Sequence, residues 1–360
     1  MRTRITGLFG ITHPIVLSGM SWVSVPELVA AVSNAGGLGI LATGVFNAKQ
    51  TREAVHRVRE LTDRPFGANA TLYFPGAREN ANVLLEEEVP VINFSMGKGD
   101  WIVRAAHAYG GRVVATVTNR AHAVAAAAYG TDALIVTGHE AAAHGGDVTS
   151  LVLVPRIVDA VPIPVIAAGG FADGRGLAAA LALGAEGIAM GTRFMSTAES
   201  PVHEVMKRLA READEHATTY SSRFDGQPCR VMRTRASRRA IRRGLDLKRA
   251  AFNGREIARM LEVPYPKLAL GVLASGWKNA RQLAHMANAF KAFRLAAVNG
   301  DNERGVLPLG QVTALVEDAP PVAEVIARIV AQAERIQQAQ AARVASAPAS
   351  AGAQELAGRR

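Results

Sequence analysis

The chain has 360 residues, 49% hydrophobic and 20% charged, with 41 Lys and Arg against 31 Asp and Glu for a net charge of +10. This is ordinary globular composition, long enough for one large domain or two modest ones. The single cysteine, Cys229, excludes an internal disulfide framework and points to a reducing compartment. The N-terminal MRTRITGLFGITHP lacks the apolar stretch of a signal peptide, and no run approaches the ~20 apolar residues of a membrane span. The expected location is the cytoplasm.

Short apolar runs recur through the first half: PIVLSG (14–19), GLGILA (37–42), PFGANAT (65–71), VPVINFS (89–95), RVVATV (112–117), DALIVT (132–137), IPVIAAGG (163–170) and EGIAMG (186–191). They show little alternation, as strands buried on both faces should. Between them lie helical segments. SVPELVAAVSNAGG offers Ser24 as an N-cap, Pro26 early in the helix and glycines at its end. NAKQTREAVHRVREL spaces Ala54, Val55, Val58 and Leu61 on one helical face. NRAHAVAAAAYG and DGRGLAAALALGA also end at glycine. Eight such strands alternating with helices predict an α/β protein, a (β/α)8 TIM barrel over residues 1–199, with an open doubly wound sheet as the alternative.

After residue 197 the alternation stops. Pro201 to His216 reads as one helix, and 200–300 as a mostly helical subdomain over the barrel mouth with no convincing strand. Residues 301–336 read as a segment returning to the barrel, with a helix from Pro320. The tail 337–360 reads as disordered.

Much of the charge sits in CRVMRTRASRRAIRRGLDLKR (229–249). No aromatic interleaving or recognition motif accompanies it, so nucleic acid is not the expected partner. A solvated helix–loop face is the plain reading, and a rim that attracts an anionic ligand or acidic protein is the other.

Chemistry is expected at the C-terminal ends of the strands. AAGGFADGRG (167–176) puts Gly169 and Gly170 after the seventh strand and Asp173 near a helix start, and MGTRF (190–194) puts Gly191 and Thr192 after the eighth. Paired loops at these two strand ends suit a phosphate held by backbone N–H groups. GHEAAAHGGD (138–147) follows the sixth strand. His139 and His144 are five apart, whereas the helical zinc motif needs four, so no metal site is expected. A proton-transfer histidine in a glycine-bounded loop is the alternative to a bland polar turn.

HPIVLSGMSWVS, NAGGLGIL, DRPFGANATL, HEAAAHGGD, IAAGGFADGRGLAAALALGAEGIAMGTRF and NGDNERGVLPLGQ resemble the nitronate monooxygenases, formerly 2-nitropropane dioxygenases, from about residue 5 to 335. The superfamily includes FMN-dependent enoyl-acyl-carrier-protein reductases and quinone reductases. The resemblance implies FMN at the barrel top. Gly19, Met20 and Ser21 would lie beside the ring, and Asn69 would contact it. Gly169, Gly170, Met190, Gly191 and Thr192 would hold the phosphate. His144 matches the family's catalytic histidine.

The chain departs from the family where EAGGH becomes EAAAH, through Ala142 and Ala143. Alanine resists positive φ, so either the loop differs or the glycines were not needed for that conformation. Thr137 stands where Gln, Asp or Glu is frequent, Thr116 where some members have lysine, and Ser21 where some have glutamine. Thr116, Thr137 and Ala142 are thus further expected flavin neighbours. The implied activity is FMN-dependent oxidation of nitronates with O2. The alternatives are NAD(P)H-dependent reduction of an enoyl thioester or quinone, with the basic stretch docking an acyl carrier protein, and a flavin-binding protein without catalysis. The expected partner is a small molecule, with no nucleic acid and no membrane, and a homodimer is one option left open.

Overall fold

The structure is a computed structural model and describes residues 1–346. Each of the eight apolar runs forms a strand: β1 (Ile15–Leu17), β2 (Leu38–Ala42), β3 (Phe66–Thr71), β4 (Val91–Ser95), β5 (Arg112–Val117), β6 (Ala133–Thr137), β7 (Val165–Ala168) and β8 (Gly187–Met190). All pair in parallel in chain order, and β8 returns to β1 through Ile15↔Ile188, Val16↔Ala189 and Leu17↔Met190. The sheet is therefore a closed barrel and not an open sheet. Helices α2 (Pro26–Asn34), α3 (Ala48–Leu61), α4 (Ala77–Glu86), α5 (Asp100–Ala108), α6 (Arg120–Ala128), α7 (Ser150–Val158) and α8 (Gly174–Ala182) follow β1 to β7, after a leading α1 (Arg4–Phe9).

The strands carry two cores because successive side chains face opposite ways. Val16, Ile40, Val91, Val114, Ile135, Ile166 and Ala189 fill the interior with Ile5 and Phe9 of α1. Leu17, Leu41, Ile92, Ala115, Val136, Ala167 and Ile188 pack outward with the helices. The interior parity continues to Asn69, Asn93, Thr116 and Thr137, so the barrel turns polar at the C-terminal ends of its strands.

After β8 come α9 (Thr192–Met195) and α10 (Glu204–Arg211), so only the middle of 201–216 is helical. The expectation of no strand in 200–300 is corrected. β9 (Thr218–Ser221) and β10 (Cys229–Met232) form an antiparallel hairpin. Its strands are four residues each, and β10 lies inside the basic run, where Arg230 and Arg233 mask its burial in the sequence. Helices α11 (Arg235–Arg243), α12 (Leu247–Met260), α13 (Tyr265–Ala274) and α14 (Trp277–Ala297) follow. The end of α12 is fastened to the barrel at the start of α3. There Asn47 Nδ2 and Gln50 Nε2 donate to the Leu261 and Met260 carbonyls, at 3.3 and 3.2 Å.

The last helix, α15 (Val322–Ser346), packs on α8, where Gln332 Oε1 accepts the Gly174 N–H at 2.8 Å. Residues 337–346 are therefore helical and not a disordered tail, and the rest of that expectation lies outside the described residues. Ser24 is not an N-cap. The cap of α2 is Val25, and the Ser24 hydroxyl donates to Ser18 O and accepts from Met20 N–H. No helix among the described residues is long and apolar enough to cross a membrane.

Candidate active site

At the barrel top, Asn93 Nδ2 donates to Val114 O at 3.1 Å and to Thr116 Oγ1 at 3.0 Å. Thr137 pairs in register with Ala168, just before the glycine loop. Gly19 meets Asn69 so closely that a Cβ there would lie 2.8 Å from Asn69 Cβ. Met20 crosses to the β8 loop, its sulfur 3.1 Å from where a Gly191 Cβ would be. Ser21 lies at the Gly44 turn, and Trp22 holds φ 60°, a costly value for a bulky residue. The Trp22 ring packs edge-on against Phe290 and Phe293 of α14, with centroids 4.2 and 5.2 Å away.

The loops after β7 and β8 are built for close backbone approach. Gly169 and Gly170 take φ 97° and 85°, which only glycine adopts readily. Among the described residues, the amide N–H groups of Gly170, Gly191 and Thr192 find no acceptor. Thr192 Oγ1 accepts the Gly310 N–H at 3.1 Å, which keeps the hydroxyl proton free to donate. Met190 departs from expectation. Its side chain is buried in the outer core, and its carbonyl accepts the Ser18 N–H, so neither faces the loop.

The segment 138–147 is a loop, as its glycines imply. Ala143 takes φ 53°, a left-handed conformation that costs an alanine roughly 1–2 kcal/mol. What holds it there is an antiparallel bridge to β10. Ala143 N–H donates to Arg230 O at 3.1 Å, and Arg230 N–H donates to Ala143 O at 3.0 Å. The Arg230 guanidinium is only 4% exposed. It donates to His139 O through Nε and Nη2, at 3.1 and 2.9 Å, and to Thr218 Oγ1 at 3.0 Å. Burial among neutral acceptors pushes its pKa down. The Tyr220 hydroxyl reaches Gly145 O and Gly146 O, and Glu140 accepts the Ser150 N–H.

The two histidines of the loop part company. His139 pairs through Nδ1 with Gly146 O at 3.0 Å and stacks edge-on against Tyr220. It is structural. His144 Nε2 lies 2.6 Å from Asp225 Oδ2, on the turn between β9 and β10. Asp225 is buried, and its other oxygen accepts the Gln227 N–H. The pairing assigns the proton to Nε2 and leaves Nδ1 with no partner among the described residues. Buried Cys229 adjoins Asp225, and the ligand atoms of these three lie within 4.8 Å of one another. A soft cation could be held there, by a set that the His139–His144 spacing does not contain.

The structure thus gathers the Gly19–Ser21, Asn69, Thr116, Thr137, Ala142, Gly169–Gly170 and Gly191–Thr192 positions at one barrel end. Ala142 N lies 3.4 Å from where a Gly310 Cβ would be, which ties the returning segment to both loops. Asp225, Arg230, Tyr220, Asn93 and Trp22 were not anticipated. For Asn93 the signal was present, an inward position two residues past Val91. Asp225 lies 81 residues from His144 and has none.

A nitronate monooxygenase family model matches residues 2–332. The chain is 39% identical to the (3aS,4S,5R,7aS)-5-hydroxy-7a-methyl-1-oxo-octahydro-1H-indene-4-carboxyl-CoA dehydrogenase of Rhodococcus jostii, covering 92% of this chain and 96% of that protein. It is 32% identical to a "Probable nitronate monooxygenase" of Staphylococcus saprophyticus, over 64% of this chain and 78% of that one. FabK from Thermotoga maritima superposes with a TM-score of 0.81 at 36% identity, over 95% of this chain and 99% of that one. With a family match spanning most of its length and a barrel that carries the glycine loops and histidine loop at one end, the chain belongs to the nitronate monooxygenase family of oxidoreductases.

Proposed function

We propose that the chain is an FMN-dependent oxidoreductase acting on a thioester-linked acyl group, above all an acyl-coenzyme A. The observation that carries the reading is the His144–Asp225 pair beside two glycine loops with unpaired amides. The preference for a thioester over a nitronate rests on extent of likeness. The CoA dehydrogenase of R. jostii matches 92% of this chain, and the nitronate monooxygenase of S. saprophyticus 64%.

The residues fit FMN. Gly170, Gly191 and Thr192 N–H groups and the Thr192 hydroxyl would hold its phosphate, in a cradle where Gly169 and Gly170 leave the backbone open. Gly19, Met20, Asn69 and the Asn93–Thr116 pair would line the ring. When bound, FMN supplies the hydride donor or acceptor. Asp225 holds His144 Nε2–H, so that Nδ1 takes or returns the substrate's proton. The Arg230 and Tyr220 bonds keep the loop still while it does so. A nicotinamide cofactor is the redox partner that the reading expects.

Nitronate oxidation with O2 is the second reading, favoured by the family model itself. A nitronate is already an anion and needs no base, so it would leave the His144–Asp225 pair only an orienting task. Purified protein should carry visible flavin absorption near one FMN per chain and turn over acyl-CoA thioesters. Protein without flavin, or flavoprotein that turns over only nitronates, would overturn the proposal.

A further inference from the structure

Helix α11 follows β10 directly and is two-faced. Ala236, Ala240 and Ile241 pack inward, in one cluster with Ala143 and Cys229. The helix is thus backed onto the loop that presents His144. Outward, Arg235, Arg238, Arg239, Arg242 and Arg243 share an arc of about 140° at ~100° per residue, and all five are exposed. None is paired with a carboxylate. Arg239 reaches only the main-chain oxygen of Glu303, and among the described residues the other four side chains have no partner. The 229–249 stretch holds nine Arg and Lys against Asp246 alone, which Arg249 already neutralises. Elsewhere on this surface basic groups alternate with acids, as in Arg52 with Glu86 and Glu87, or Arg328 with Asp318 and Glu324. Like charges crowded on one short helix repel, and a bound anion relieves that repulsion.

We infer that this arginine face of α11 binds the phosphates of a coenzyme A thioester, its diphosphate and 3′-phosphate, with the acyl end directed to His144. This rests on the thioester reading above. The face is all arginine, and the planar guanidinium fork matches phosphate oxygens bidentately, which lysine does not. It spans about 14 Å for a nine-residue helix. That span suits a compact polyphosphate better than the broad acidic surface of a carrier protein. A nitronate carries one charge and makes no use of it.

The test is titration calorimetry of the full chain with coenzyme A, 3′-dephospho-coenzyme A and pantetheine, for the unaltered protein and for Arg238→Ala/Arg242→Ala. Both positions are solvent-exposed on the outer face, so the fold has no need of them. Coenzyme A affinity should fall about tenfold or more in the variant, and also when the 3′-phosphate is removed. It should weaken with added salt, while pantetheine binding stays the same in both proteins. Equal coenzyme A affinity in the two proteins would overturn the inference, as would an acidic carrier protein alone losing affinity in the variant. The outcome is separable from the thioester reading. Turnover of coenzyme A and pantetheine thioesters with equal KM would keep that reading and refute the arginine face. Arginine-dependent coenzyme A binding without thioester turnover would do the reverse.

Discussion

His144 Nε2 and Asp225 Oδ2 stand 2.6 Å apart, although 81 residues separate them in the chain. One partner comes from the barrel loop after β6 and the other from the β9–β10 hairpin, so the pair exists only when hairpin and barrel are assembled. Asp225→Asn should keep flavin and fold while kcat/KM falls by about 10²-fold, within the range of a positioned acid–base. The diagnostic is coupling. His144→Ala/Asp225→Asn should be no slower than His144→Ala alone, because Asp225 acts through the imidazole. Fully additive losses would mean that Asp225 acts elsewhere.

The two loop histidines should separate cleanly. His144→Ala should lose about 10²–10⁴-fold in turnover with FMN content unchanged, most severely on a neutral substrate that must lose a proton. His139→Ala should stay within about tenfold, since it removes one bond to Gly146 O and a ring contact. Steady-state assays of both variants check this, and the reverse order would contradict it.

Gly170→Asp should abolish flavin retention. It sets a second carboxylate beside the Glu140 side chain, 3.6 Å from where its Cβ would be, in the loop that would hold the phosphate, at a backbone φ of 85° that also strains it. Flavin content and far-ultraviolet circular dichroism together check it, and a folded, fully yellow variant would refute the phosphate placement.

Ala143 should tolerate glycine and reject valine. Its φ of 53° already costs alanine roughly 1–2 kcal/mol, and a β-branched side chain there clashes with the backbone as well. Ala143→Gly should keep activity within a few-fold. Ala143→Val should break the bridge to Arg230, lowering stability by about 2 kcal/mol or more and turnover with it. Thermal unfolding followed beside activity reads both.

Cys229 should be inert. It is fully buried, and burial together with the adjacent Asp225 carboxylate pushes its thiol pKa well up. At pH 8 the native protein should show no reactive thiol toward an aromatic disulfide reagent, and one thiol per chain after unfolding. Rapid labelling of the native protein would contradict this burial.

The barrel was legible because strands buried on both faces leave continuous apolar runs, and helices leave glycine stops. The glycine loops were legible for the same local reason, since positive φ at Gly169 and Gly170 is encoded by residue type. The hairpin was not, because the burial of Arg230 depends on acceptors at Thr218 across the hairpin and at His139, 91 residues away. Nor was the conformation of Ala143. The alanine left two readings open, a different loop or no need of positive φ, and the two bonds to β10 are what hold Ala143 in the left-handed region. The Met190 side chain joins the outer core because a one-residue parity decides which core a strand residue enters.

On the proposed function, the barrel mouth exchanges a hydride between FMN and a thioester-linked acyl group, with His144 moving the proton. Anaerobic stopped-flow mixing of the flavoprotein with hydroxyacyl-CoA or enoyl-CoA thioesters, with NAD(P)H and with a nitronate tests it most directly through the flavin absorbance. Redox exchange with a thioester, slowed in His144→Ala, is the expected result. Bleaching by the nitronate alone, restored by O2, with no response to any thioester in either redox direction, would contradict it.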